Sequence, residues 1–371
     1  DTAKNKARIM EKTRSRLEQQ VMKNSKKQRP LVPVLIIACV LVLSLFLAGP
    51  YMYQAFFKEQ KFTIEKVVFP QSAHDALYHA IYIDATNEFI YKKQDGFYSF
   101  DVETKQETQL VVASGQMSYS YEASQQWIVW GEVVNDEPKM HVLNRATNEI
   151  TILETDYFFG VQLNGDDIIY LAMKPIDGSK SETNYIKYNL LTEQSVKVRE
   201  HESTSNSKTS IFDGNYMAVS EQVEMDNGKE TMIAIQDLQQ AKDIRNYILP
   251  YDIVQKITLL DKKLYAYVWD SNEKVPGEIS VIDIETNEYT KLKSPVMVDD
   301  YATDGQHFAI SVKKGDSNSV QLFEEQEGQL KRISSLPTIR ERLVLPRFTE
   351  EGTLVVTSEG PERPIYLIRF K

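Results

Sequence analysis

The 371 residues contain a single cysteine, Cys39, and glycine is scarce at 15. One thiol excludes a disulfide framework and a cysteine-built metal site. With so little glycine there is no phosphate-cradling glycine loop. No Gly-x-Ser-x-Gly elbow and no His-Glu-x-x-His helix occurs either. The five histidines, His74, His79, His141, His201 and His307, are scattered. Only His74 and His79 are near one another, at a spacing of five that suits neither a helix face nor a strand face. They read as surface histidines. These absences predict a chain that is not an enzyme and holds no cofactor and no metal.

Charge is also missing from one long stretch. Leu31 to Gly49 carries none, and the next charged residue is Lys58. Nineteen residues at ~1.5 Å each make a helix about as long as a bilayer core is thick. Residues 1–30 hold ten Lys and Arg against three acids, a balance of +7. The whole chain stands at −10, which leaves −17 for residues 31–371. Positive residues stay on the cytoplasmic side, so the pattern predicts a single-pass protein of the cell membrane. Residues 1–30 would form a basic cytoplasmic tail and residues 31–49 the transmembrane helix, apolar to about residue 57. Residues 58–371 would be extracytoplasmic. A lipoprotein signal at Ile36-Ile37-Ala38-Cys39, cleaved before a lipidated Cys39, fits less well, because Val40-Leu41-Val42-Leu43 would make a strongly apolar mature start. Residues 3–28, without Gly or Pro, read as a helix. Absence of disulfides and the short basic tail fit a bacterial cell envelope. An acidic exterior disfavours nucleic acid as a partner.

From Phe62 onward a repeat takes over. Seven short apolar runs begin at Phe89, Trp127, Ile168, Met217, Leu264, Phe308 and Leu354, each just after a small polar turn. Their separations are 38, 41, 49, 47, 44 and 46 residues. A second repeat keeps phase with the first: a strand ends in Asp or Asn and turns through Thr, Asn or Glu. Phe100-Asp101, Leu143-Asn144, Tyr188-Asn189 and Ile282-Asp283 are the clear copies, with Gln236-Asp237 and Phe323-Glu324 weaker. Asp and Asn suit such turns because their side chains cap the backbone NH groups. Two turns and four strands every ~44 residues describe the blade of a β-propeller. The expectation is an all-β, seven-bladed propeller. Six blades are complete, and the seventh takes its fourth strand from residues 62–68.

Asp304-Gly305-Gln306-His307-Phe308 and Asp213-Gly214-Asn215-Tyr216-Met217 resemble the TolB-type propeller repeat, loosely over residues 62–371. That resemblance implies the fold and no activity. In a propeller, the second-to-third-strand loops and the connections between blades share one face. Here the former read as long and charged: 131–139, 174–184, 221–229, 270–277 and 313–318. Variation on one face is where specificity resides. The connections between blades set aromatic residues beside carboxylates, at Asp156-Tyr157, Tyr251-Asp252 and Asp300-Tyr301, with Tyr119 and Tyr121 in an equivalent place. Such rings can stack on a sugar or cradle a peptide while the acids accept hydrogen bonds. The same residues also suit blade packing. The function predicted is a membrane-anchored binding or scaffolding module for a peptide, protein or cell-envelope glycan. The alternative is a transmembrane signalling regulator, anti-sigma-like, with the propeller as sensor and a cytoplasmic domain upstream of residue 1.

Overall fold

Each of the seven apolar runs is the second strand of a four-stranded antiparallel sheet. The computed structural model describes residues 11–12, 14–19 and 62–371, apart from 156, 178–179, 202–208, 226–227, 271–276, 315–316, 336–341 and 361. The second strands stand out in sequence because they are covered on both faces. Phe89, Ile90, Ile128, Ile168, Met217, Leu264, Phe308 and Leu354 all have essentially no exposed surface. A strand buried on both sides reads as a continuous apolar run rather than an alternation.

The blades span residues 81–112, 116–153, 157–201, 209–249, 253–292, 300–335 and 343–370. Blade 7 supplies three strands of its own, Leu343–Phe348, Leu354–Ser358 and Ile365–Phe370. Its fourth is Phe62–Val67, paired antiparallel from Phe62↔Phe370 to Val67↔Ile365. The core is divided seven ways. Each of seven apolar clusters joins one blade to the next, from Ile90 with Trp130 between blades 1 and 2 to Phe89 with Ile365 between blades 7 and 1. Every blade therefore has both faces covered, and the ring is closed.

The third-to-fourth-strand turns follow one design. Asp101, Asn144, Asn189, Asp237 and Asp283 each accept two backbone NH bonds through Oδ1, from the second and third residues after them. The fourth residue after each is left-handed: Lys105, Asn148, Glu193, Ala241 and Asn287. At the other end, most of the stretches read as loops are hairpins. Strands run to Val134 and resume at Glu137, and they run to Met225 and resume at Gly228. Asn135 and Asp136, both at positive φ (54° and 65°), close the first with a two-residue turn of the type that matches strand twist.

The membrane expectation is corrected. Among the described residues no helix is long and apolar enough to cross a bilayer. Residues 11–12 and 14–19 are helical and exposed, with Arg14 and Glu18 paired at 3.5 Å. Gln71–His79 and Asp84–Thr86 are short 3-10 turns. Leu31–Gly49 lies outside the described residues, and a single-pass cell-membrane location with a cytoplasmic N terminus is not supported. Residues 1–61 and 62–371 form separate compact units.

Candidate functional site

The innermost strands, the first of each blade, surround the channel. They are Ile81–Ile83, Gln116–Ala123, Tyr157–Asn164, Thr209–Asp213, Ile253–Leu260, Asp300–Thr303 and Leu343–Phe348. Four of them carry an irregularity, in blades 2, 3, 5 and 7. In each, the first paired residue after the irregularity reaches a neighbouring blade or the segment leading into it. The breaks lie between Met117 and Tyr121, Phe159 and Gln162, Val254 and Lys256, and Val344 and Arg347. The Tyr121 hydroxyl donates to His79 O. Gln162 Nε2 donates to Ser210 O at 2.7 Å, and Gln162 Oε1 accepts from Phe212 N at 3.1 Å. Lys256 Nζ donates to Tyr301 O at 2.6 Å, and Arg347 Nη2 to Ala80 O at 2.5 Å. A bulge turns the side chain that follows it. These four turned residues hold the regular inner strands of blades 1, 4 and 6 in place.

The sequence-predicted residues separate into two groups. Tyr301 is fully buried between blades 5 and 6, and its hydroxyl donates to Tyr265 O at 2.9 Å. Tyr121 is buried between blades 1 and 2. Burial raises the pKa of both phenols. Asp300 is paired with Lys256 at 3.1 Å. Tyr251 is half-buried, donates to Glu278 Oε2 at 2.7 Å and lies under Lys291, whose Nζ is 5.1 Å from the ring centre. Burial pushes its phenol up to about 12. Gln222 Nε2 donates to Asp252 O at 3.3 Å. Tyr119 lies in the first strand of blade 2. Asp156 lies outside the described residues.

Tyr157 is different, being 48% exposed. Two residues on, Phe159 is 54% exposed, a residue the sequence reading missed. Phe158, between them, packs against Tyr170 in the interface of blades 2 and 3. Alternation thus puts Tyr157 and Phe159 on one side of the strand at the mouth. The left-handed Gly160 (φ 61°) then resets the phase, so that Val161 enters the same interface as Phe158.

Inside the channel a cavity of 850 Å³ extends from the first-to-second-strand turns to the start of blade 1. Its walls come from blades 1, 2, 3 and 7. Glu122 and Arg347 both line it. Glu122 has no hydrogen-bond or ion-pair partner among the described residues, and burial pushes its carboxyl up to about 7. Burial likewise lowers Arg347, to about 10, since its bonds go to Ala80 O and the Thr357 hydroxyl rather than to an acid. Neither was singled out from sequence. For Arg347 the available signal was a charged side chain within the otherwise apolar strand Leu343–Phe348; the strand of Glu122, with Gln116, Ser118 and Ser120, offered none.

The histidine reading also needs correcting at one position. His141 is buried, stacked on Trp130 with ring centres 5.1 Å apart, and burial lowers its pKa. Its Nε2 lies 3.8 Å from Glu132 Oε2. Glu132 itself ties down the connection between blades 1 and 2, accepting from Ser114 N at 2.5 Å. Among the described residues no group of three or more His, Cys, Asp or Glu is placed to hold a metal ion.

Geometry and topology define a seven-bladed β-propeller. No protein-family model matches the sequence, and no curated protein matches it. Solved structures share the fold at low identity. An oligogalacturonate lyase in complex with manganese is 13% identical with a TM-score of 0.60, over 84% of this chain and 97% of that one. The β-propeller domain of the Trilobed protease from Pyrococcus furiosus is 14% identical with a TM-score of 0.53, over 70% and 84%. The Pyrococcus horikoshii acylaminoacyl peptidase is 14% identical with a TM-score of 0.54, over 69% and 45%. At such identities the likeness concerns the fold alone. It does correct the expectation of a chain that is not an enzyme, because the absence of familiar motifs does not exclude catalysis from an architecture that these enzymes share.

Proposed function

We propose that this propeller is a binding module that receives a peptide, a protein segment or a glycan at the loop-face mouth of its channel. The observation that supports this reading is the pair Tyr157 and Phe159, two large rings left half in water on an inner strand. Rings of that size are ordinarily buried, and their exposure on a rigid strand suits stacking on a partner. Tyr251, with Glu278 and Lys291, offers a ring with polar neighbours on the same face. The negative formal charge of residues 31–371 makes nucleic acid an unfavourable partner.

The test uses peptide and glycan arrays probed with the full chain and with a Tyr157→Ala, Phe159→Ala double variant. The expected outcome is at least a tenfold loss of binding in the variant, with the unfolding midpoint unchanged. Equal array profiles for the two proteins would remove the loop-face mouth from consideration.

A further inference from the structure

The other end of the channel has a chemistry of its own. Five carboxylates line the 850 Å³ cavity: Asp84, Glu122, Asp166, Glu350 and Glu351, the last two on its exposed rim. The one guanidinium there, Arg347, already donates to Ala80 O and Thr357 Oγ1. In the adjoining cavity Arg369 is taken up by Glu65 at 2.9 Å. Asp166 Oδ1 accepts the Trp127 indole NH at 2.9 Å. Asp84 Oδ1 accepts from the Thr353 hydroxyl, but its Oδ2 is buried and meets no donor. Glu122, half-buried on the cavity wall, has no donor either among the described residues. A buried carboxylate oxygen without a donor is costly, and Asp84 Oδ2 is one such oxygen in this cavity, a position that a ligand's donor can fill.

We propose that this cavity binds an extended organic cation, one whose ammonium or guanidinium groups are spaced along a short apolar chain, between Asp84 and Glu122. A cleft walled by one sign of charge concentrates the opposite sign. The volume lies within the range of small-ligand sites. A bare metal ion fits less well, because no three acidic or histidine side chains among the described residues converge on one point. An extended cation needs no such convergence, since its donors are themselves apart. The alkyl part would lie along the non-polar wall, which includes Ile81, Ile83 and Val355. For Glu122 the gain is direct, because a cation compensates the burial that now holds its carboxyl partly protonated near neutrality.

Isothermal titration of the full chain with three probes of equal length tests this: 1,5-diaminopentane, glutarate and 1,5-pentanediol. The diamine should bind, while the dianion and the diol should not. Glu122→Gln and Asp84→Asn should each weaken diamine binding at least tenfold, with unfolding in urea confirming that both variants fold. The loop-face double variant at Tyr157 and Phe159 should bind the diamine like the unaltered chain, which separates this site from the one proposed above. Binding of glutarate or the diol as tightly as the diamine would overturn the assignment. So would no diamine binding, or diamine binding indifferent to both acidic substitutions. Manganese or calcium ions bound with the same dependence on Glu122 would replace the organic cation with a metal.

Discussion

The two sides of the channel treat the same kinds of residue in opposite ways. Where blades 5 and 6 meet, the ring of Tyr301 is buried and Lys256 is neutralised by Asp300. On the side formed by blades 7, 1, 2 and 3, Tyr157 and Phe159 face water, and Glu122 and Arg347 line a cavity without ionic partners among the described residues. Strand phase accounts for the aromatic part of the contrast. The inner strand of blade 6 is four residues long and regular, so Tyr301 lies in phase with the interface. Blade 3 has a longer strand and a bulge, and the side chains before the bulge are out of phase with those after it. One side of the ring is thus tightly packed, and the other keeps its groups available.

Removing the two tyrosines separates these roles most sharply. Tyr301→Ala should cost roughly 3–5 kcal/mol of stability, the range for emptying a large buried aromatic site. Tyr157→Ala should stay within about 0.5 kcal/mol, as expected for an exposed side chain. Urea unfolding of both variants measures the difference, and equal losses would erase the distinction between the two sides.

Glu122 gives a smaller effect with a definite sign. Its folded carboxyl titrates at about 7, above the ordinary 4.5, so the folded chain holds a proton that the unfolded chain has released. Stability is therefore undiminished at pH 4, declines as pH rises through that window, and levels off above about pH 7. The charged or titratable groups lining the same cavity are His79, Tyr78, Tyr82, Tyr121, Asp84, Asp166, Arg347, Glu350 and Glu351. Glu122→Gln should match the unaltered chain at pH 4 and exceed it at pH 8. The expected gain is roughly 1–3 kcal/mol, the larger value being reduced by contact with cavity water. Unfolding midpoints at the two pH values report it, and a variant less stable at pH 8 would contradict the unpaired state of this group.

The smallest change tests the bulge itself. A Cβ at Gly160 would meet nothing within 4 Å, so Gly160→Ala carries only the left-handed backbone penalty of about 1 kcal/mol. Gly96→Ala, by contrast, would drive its Cβ to 1.8 Å from Val111 O and should be clearly worse. Differential scanning calorimetry of the two variants ranks them.

The blades were legible in the sequence because burial on both faces writes each second strand as an unbroken apolar run. Asp101, Asn144, Asn189 and Asp283 then marked the next turns, since only a short acceptor side chain can cap them. Channel residues gave no such signal. Asp156-Tyr157 and Asp300-Tyr301 look alike, yet the direction of each ring depends on a bulge that the pattern does not show, apart from Gly160. Glu122 and Arg347 matter through their lack of charged partners among the described residues, which is a property of the assembled ring. The polar stretches at 131–139 and 221–229 read as loops because they lack the apolar alternation by which a strand is recognised.

Closure of the ring has a consequence for how it bears load. Phe62 pairs with Phe370, so the first and last strands begin and end at the same corner of blade 7. A pull drawing those two ends apart does not shear six residue pairs together. It reaches them one at a time, from Phe62↔Phe370 towards Val67↔Ile365, like a strip peeled from its free end. The joint that resists thermal opening through shared burial is thereby the first to yield to force.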